Sequence, residues 1–128
     1  MQELQDAMED WERYQSIPRE QFFSSRDTRN MVFHAILVAI QSAIDIATDI
    51  IAEKRLQKPV TYRETFEILE SNGMISESLA KELAALASFR NVLVHIYWDL
   101  DLEAVYTILQ HDLVYLKEFR AVIQDSYS

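Results

Sequence analysis

At 128 residues, with 49% hydrophobic and 26% charged residues, the chain has the composition of one folded domain, which excludes intrinsic disorder. One Gly and two Pro are too few for an all-β fold, which needs turn residues roughly every eight to twelve positions, and the lack of Cys excludes disulfides and thiolate metal sites. A formal charge of −9 argues against a broad basic surface of the kind that dominates nucleic-acid binders.

Residues 2–17 carry Leu4, Ala7, Met8, Trp11 and Tyr14 on one helical stripe, and Pro18 stops that helix or starts the next turn. This acidic first segment has neither signal-peptide nor transit-peptide character, so a cytoplasmic protein is expected. Residues 19–25 read as a short helical turn with Phe22 and Phe23. A long helix follows from about Arg26 to Leu56, with Ser25 or Asp27 as its cap and Lys54 and Arg55 in its last turn, where cations suit the helix dipole. Met31 to Ala52 is apolar on nearly every side, so this helix is expected to be central. Asp45 and Asp49 within it argue against a membrane span. Its polar residues His34, Gln41, Asp45 and Thr48 form one stripe, either a solvated edge or the wall of a functional groove or subunit contact.

Thr61 and Glu64 form a capping box. It opens a helix expected to bury Tyr62, Phe66 and Leu69 and to end at Asn72-Gly73. Ser76 or Ser78 caps the next helix, whose core stripe is Leu79, Leu83, Leu86, Phe89, Leu93 and Ile96. Asp101 is the expected cap of a last helix running to about Gln124, with Leu102, Val105, Leu109, Leu113, Leu116 and Ile123 inward. The expected architecture is a single all-α domain over residues 1–128: a bundle of five helices, one of them long and central, with no strands.

Chemistry concentrates in Ser88 to Trp98. At about 100° per residue, setting Arg90 at zero puts Val94 near 40°, Trp98 near 80°, Asn91 near 100°, His95 near 140° and Tyr97 near 340°. Phe89, Val92, Leu93 and Ile96 take the opposite, core-facing sector. Each polar residue has an ordinary reading too. Arg90 can snorkel to a surface carboxylate, His95 can be a hydrogen-bonded core or interface histidine, Asn91 can cap or bridge, and Tyr97 and Trp98 can be core aromatics. His34 and His111 are isolated and read as structural. Gly-rich phosphate loops, Cys/His metal spacing and a Ser-His-Asp arrangement are absent from the sequence.

An arginine and a histidine without a metal suit phosphoryl transfer within RNA. An imidazole titrating near pH 7 can take the proton of a ribose 2′-hydroxyl, and a guanidinium can hold the phosphate and its transition-state charge. Acid–base catalysis usually wants two groups, and the chain offers one suitable histidine. A two-fold dimer would bring two copies of this face into one cleft.

Arg90-Asn91-x3-His95-x-Tyr97 resembles the Arg-polar-x3-His signature of HEPN domains, and its fuller form resembles the Arg-x4-His-x-Tyr motif of HepT toxins. Ala43-Ile44-Asp45-Ile46-Ala47, Tyr62-Arg63-Glu64-Thr65-Phe66 and Phe89 through Asp101 also look like blocks of that family, so the resemblance covers about residues 26–116. It implies a homodimeric all-α HEPN toxin of a type VII-like toxin–antitoxin system, paired with a minimal nucleotidyltransferase antitoxin of the MntA type. The implied activity is that of a metal-independent endoribonuclease, without cofactor, acting on an RNA such as tRNA or mRNA, with no membrane partner. Carried onto this sequence, Arg90 and His95 are the catalytic pair and Asn91 their polar neighbour. Asp45 is a supporting residue that pairs with Arg90, and Tyr97 is the residue the antitoxin adenylylates (AMPylation). The alternative is a non-catalytic HEPN subunit that binds a nucleotidyltransferase or nucleotide.

Overall fold

A computed structural model describes residues 1–95 and 99–127, with the side chain of Tyr127 left aside. Among these residues it contains seven helices and no strand: α1 (Gln2–Tyr14), α2 (Arg19–Ser24), α3 (Arg26–Glu53), α4 (Tyr62–Ser71), α5 (Glu77–His95), α6 (Leu102–His111) and α7 (Leu113–Tyr127). The all-α class and the long central helix stand, and the count of five is corrected to seven. The short turn at Phe22-Phe23 is a helix of its own, and the single last helix expected over 102–124 is two.

The break between α6 and α7 has a tertiary cause. The last carbonyls of a helix lack donors from within it. Here Trp11 Nε1 donates to the Leu109 carbonyl at 2.8 Å, and Gln15 Nε2 donates to the same oxygen at 3.0 Å. Gln110 Nε2 returns a bond to the Gln15 carbonyl at 2.8 Å. These bonds from α1 and its C-terminal flank hold the end of α6, and Asp112 forms the corner with φ −98° and ψ −7°.

The helix ends obey local chemistry. Ser25 Oγ accepts from the Thr28 amide at 3.2 Å, Thr61 Oγ1 from Glu64 at 3.1 Å, and Ser76 Oγ from Leu79 at 3.1 Å. Asp101 Oδ1 accepts from Glu103 and Ala104 at 3.1 and 3.3 Å. Ser25 and Ser76, rather than Asp27 and Ser78, are therefore the side-chain caps. Two helices stop in Schellman turns. Leu56 N donates to Ile51 O behind Arg55 (φ +55°), and Met74 N donates to Leu69 O behind Gly73 (φ +74°). The first of these ends α3 at Glu53, three residues before the expected Leu56.

α3 is the rod on which the bundle is built. Val32, Ile36, Ala39, Ile40, Ala43, Ile44 and Ala47 are buried along it, and α1, α2, α4, α5 and α7 pack against it. By length and hydropathy α3 would pass for a membrane span, yet 56% of its most apolar window is buried inside the bundle, as a core helix requires. Trp11, Phe22, Phe66 and Phe119 are fully buried. Phe66 meets Phe119 edge-on at 5.7 Å and 88°. Each such side chain contributes roughly 1.5–3 kcal/mol by leaving water.

α4 and α5 form an antiparallel hairpin, with the Tyr62 ring beside Arg90. α4 therefore begins level with Arg90, and the C-terminal turn of α5 runs past its cover. This corrects two expectations. Val92, assigned to the core by the helical wheel, is 41% exposed, and Tyr62, expected inside, is 38% exposed.

Candidate active site

The seam between α3 and α5 holds most of the residues that the sequence singles out. Arg90 is half-buried at this seam. Its Nε donates to Gln41 Oε1 at 2.8 Å and its Nη1 to Asn91 Oδ1 at 3.2 Å. The guanidinium carbon lies 4.9 Å from the centroid of the Tyr62 ring, within cation–π range. Gln41 Nε2 in turn donates to Asp45 Oδ1 at 2.9 Å.

The expected direct pairing of Asp45 with Arg90 is thus replaced by a relay, Asp45 to Gln41 to Arg90. The i, i+4 spacing of Gln41 and Asp45 puts them one turn apart on one face of α3, and a carboxamide spans the gap to α5. The polar stripe on α3 is therefore a groove wall at Gln41 and Asp45. His34 lines a neighbouring groove with Asn30, Phe33, Leu37 and Leu93.

His95 is exposed in the last turn of α5. It stands five residues beyond Arg90, roughly 7.5 Å along the axis, and no hydrogen bond joins the two among the described residues. Asn91, Val92 and Val94 are exposed around it. Tyr97, like Ile96 and Trp98, lies outside the described residues. Arg63 Nη1 donates to Ser88 Oγ at 3.4 Å, placing a second cation two residues up α5 from Arg90. Arg63 also faces Glu67 at 3.9 Å, and Asp45 stands behind Gln41 in the relay to Arg90, so cations and carboxylates are mixed here.

Two contributors are not evident from the sequence: its pattern places Tyr62 in the core and Gln41 simply on a polar stripe. The signal for Gln41 was its i, i+4 spacing to Asp45. The packing of α4 against α5, which brings Tyr62 to Arg90, has no local signal.

A model of the family described as "Ribonuclease HepT-like" matches residues 4–123, nearly the whole chain and more than the 26–116 covered by the resemblance in the sequence. The "mRNA nuclease HepT" of Shewanella oneidensis is 33% identical over 84 residues, covering 66% of this chain and 63% of that protein. The chain thus spans a little under two thirds of that relative. The "tRNA nuclease HepT" of Aphanizomenon flos-aquae is 28% identical over 101 residues, covering 79% of this chain and 69% of that one. The fold is similar to that of the tri-AMPylated Shewanella oneidensis HEPN toxin solved in complex with MNT antitoxin. The TM-score is 0.87 at 25% identity, over 95% of this chain and 91% of that one. Sequence motif, helix order and extent of match agree, and the chain belongs to the ribonuclease HepT-like family.

Proposed function

We propose that this chain is the ribonuclease toxin of a toxin–antitoxin pair, with Arg90 and His95 as its catalytic residues. The observation that carries this reading is the held guanidinium. Arg90 is fixed by Gln41, Asn91 and Tyr62, and exposed His95 follows on the same helix, in a chain of this family.

With Nε and Nη1 held, the Nη2 group is the part of Arg90 left to meet a phosphate among the described contacts. The imidazole of His95 takes the 2′-hydroxyl proton, and the 2′-oxygen attacks the adjacent phosphorus. The P–O5′ bond breaks, giving a 2′,3′-cyclic phosphate and a 5′-hydroxyl, and the departing O5′ takes a proton from an imidazolium. Arg90 balances the charge on the phosphorane. A homodimer supplies the second histidine, so that one imidazole serves as base and the other as acid. The exposed Val92 and Val94 beside His95 suit that contact. Asn91 steadies Arg90, and Asp45 steadies it through Gln41.

The cognate partner is a minimal nucleotidyltransferase that adenylylates Tyr97. Two residues past His95, the added phosphates would put negative charge and bulk where the RNA phosphate sits. The pair acts in the cytoplasm on an RNA such as tRNA or mRNA.

Incubating the purified chain with RNA in the presence of EDTA tests this. The expected products carry 2′,3′-cyclic phosphate and 5′-hydroxyl ends. RNA left intact would overturn the reading and favour a non-catalytic HEPN subunit, and 5′-phosphate ends would overturn the attack by the 2′-hydroxyl.

A further inference from the structure

A groove of about 250 Å³ opens beside Arg90, between the start of α1 and the middle of α3. It is lined by the half-buried Leu37 and Val38, with Arg90 and Gln41. Two carboxylates, Glu3 and Asp45, edge it. Ser42 lines it while being only 6% exposed, and among the described residues its Oγ has no hydrogen-bond partner. The oxygen itself is not sealed from solvent, so it is free to bond a molecule in the groove.

We infer that this groove is a nucleobase subsite which admits guanine next to the phosphate held by Arg90. The inference rests on the ribonuclease reading above and extends it to sequence preference. Charge decides the class of ligand. A phosphate filling the groove would meet Glu3 and Asp45 as well as Arg90, and the two carboxylates would repel it. A neutral base would not, and it can offer N–H donors to groups that only accept. Volume agrees with this, because the groove is smaller than the roughly 300–1,000 Å³ that holds a drug-sized ligand and suits a single flat ring system against Leu37 and Val38.

Among the four bases, guanine presents two adjacent donors, N1–H and the N2 amino group, matched to the two oxygens of one carboxylate. Adenine and cytosine each offer only an amino group on that edge, and uracil only N3–H. Ser42 Oγ then meets a remaining polar atom of the base. Glu3 is the better carboxylate for the pair, because one oxygen of Asp45 is already taken by Gln41.

The experiment uses short oligoribonucleotides that differ only at the nucleotides flanking one cleavage position, carrying guanosine, inosine or uridine. Wild type is expected to cleave the guanosine substrate at least about tenfold faster than the uridine one, the scale of one good carboxylate–base pair. Inosine, which keeps N1–H and lacks the amino group, should fall between. Glu3→Gln should bring the guanosine-to-uridine ratio below about threefold by slowing the guanosine substrate alone. Ser42→Val, which fills the groove, should do the same. Equal cleavage of guanosine and uridine substrates by wild type overturns the subsite while leaving the ribonuclease reading intact.

If wild type cleaves none of them, the ribonuclease reading fails, and the groove is judged by binding. NMR titration of the chain with GMP and UMP should then shift the Ser42 and Gln41 signals with GMP at least about tenfold more tightly, and equal affinities overturn the subsite.

Discussion

Arg90 reaches across the α3–α5 seam to Gln41, Nε to Oε1 at 2.8 Å, and Gln41 hands the contact on to Asp45 at 2.9 Å. The relay has only one polarity. A guanidinium can only donate and an ionised carboxylate can only accept, so the amide must turn its oxygen to Arg90 and its nitrogen to Asp45. Asp45 thus fixes which way Gln41 points, and Gln41 fixes Arg90.

Removing the amide should release the guanidinium without removing it. A hydrogen bond to a charged group contributes about 1.5–3 kcal/mol, so Gln41→Ala is expected to lower kcat roughly 10- to 100-fold with a smaller change in KM. Gln41→Glu should be as slow, because a carboxylate beside Arg90 competes with the substrate phosphate. Tyr62→Phe keeps the ring under the guanidinium and should stay near wild type, while Tyr62→Ala should lose activity. Steady-state cleavage kinetics, with circular dichroism as the check on folding, measure all four.

Adenylylation has its own readout. Incubation with the cognate nucleotidyltransferase and ATP should raise the mass of the chain by whole multiples of AMP and reduce RNA cleavage. A Tyr97→Phe chain should gain none. The same gain on that variant, seen by intact-mass spectrometry, places the modification elsewhere.

The corner between α6 and α7 makes stability depend on pH. Burial holds the Asp112 carboxyl above its ordinary value of 3.8; nearby Glu82 adds to this and His111 opposes it. In the window from pH 3.8 upward to the raised value, the folded chain binds more protons at Asp112 than the unfolded one. Its contribution to stability therefore falls as pH rises through that window, and the penalty is complete at neutral pH. Asp112→Asn removes it. The variant should melt a few degrees above wild type at pH 7, and the two melting curves should converge near pH 3. Thermal melts across pH check this, and an Asp112→Asn chain less stable at pH 7 would reverse the sign.

The two Schellman turns offer a paired test. Gly73 sits at φ +74° with nothing within 4 Å of where a Cβ would be, so Gly73→Ala should cost about 1 kcal/mol through the backbone alone. Arg55 holds the same conformation without being glycine (φ +55°), so Arg55→Gly should stabilise by about 1 kcal/mol. Opposite shifts in urea midpoint check both.

Much of this fold was legible because helix signals are local. Ser25, Thr61, Ser76 and Asp101 cap where the spacing says a helix starts, and the apolar stripes of α1, α3 and α7 are buried. The misses share a cause. The last helix breaks because Trp11 and Gln15, nearly the whole chain away, hold the carbonyls of Leu109 and Gln110, and no local pattern announces such a bond. Val92 is exposed because a helical wheel gives an angle but does not say how far neighbouring helices extend. For the candidate site, the motif points to Arg90, Asn91 and His95, while the route from Asp45 to Arg90 through Gln41 needed the two helices side by side.

The central claim is that His95 performs proton transfer. The most direct measurement compares RNA cleavage by wild type and His95→Ala at equal concentration, with circular dichroism showing the same helix content. Because His95 is exposed, the substitution should leave stability nearly unchanged. Cleavage is expected to fall at least about 100-fold, the lower end of what one general acid–base group supplies. Cleavage by His95→Ala at the wild-type rate would contradict it.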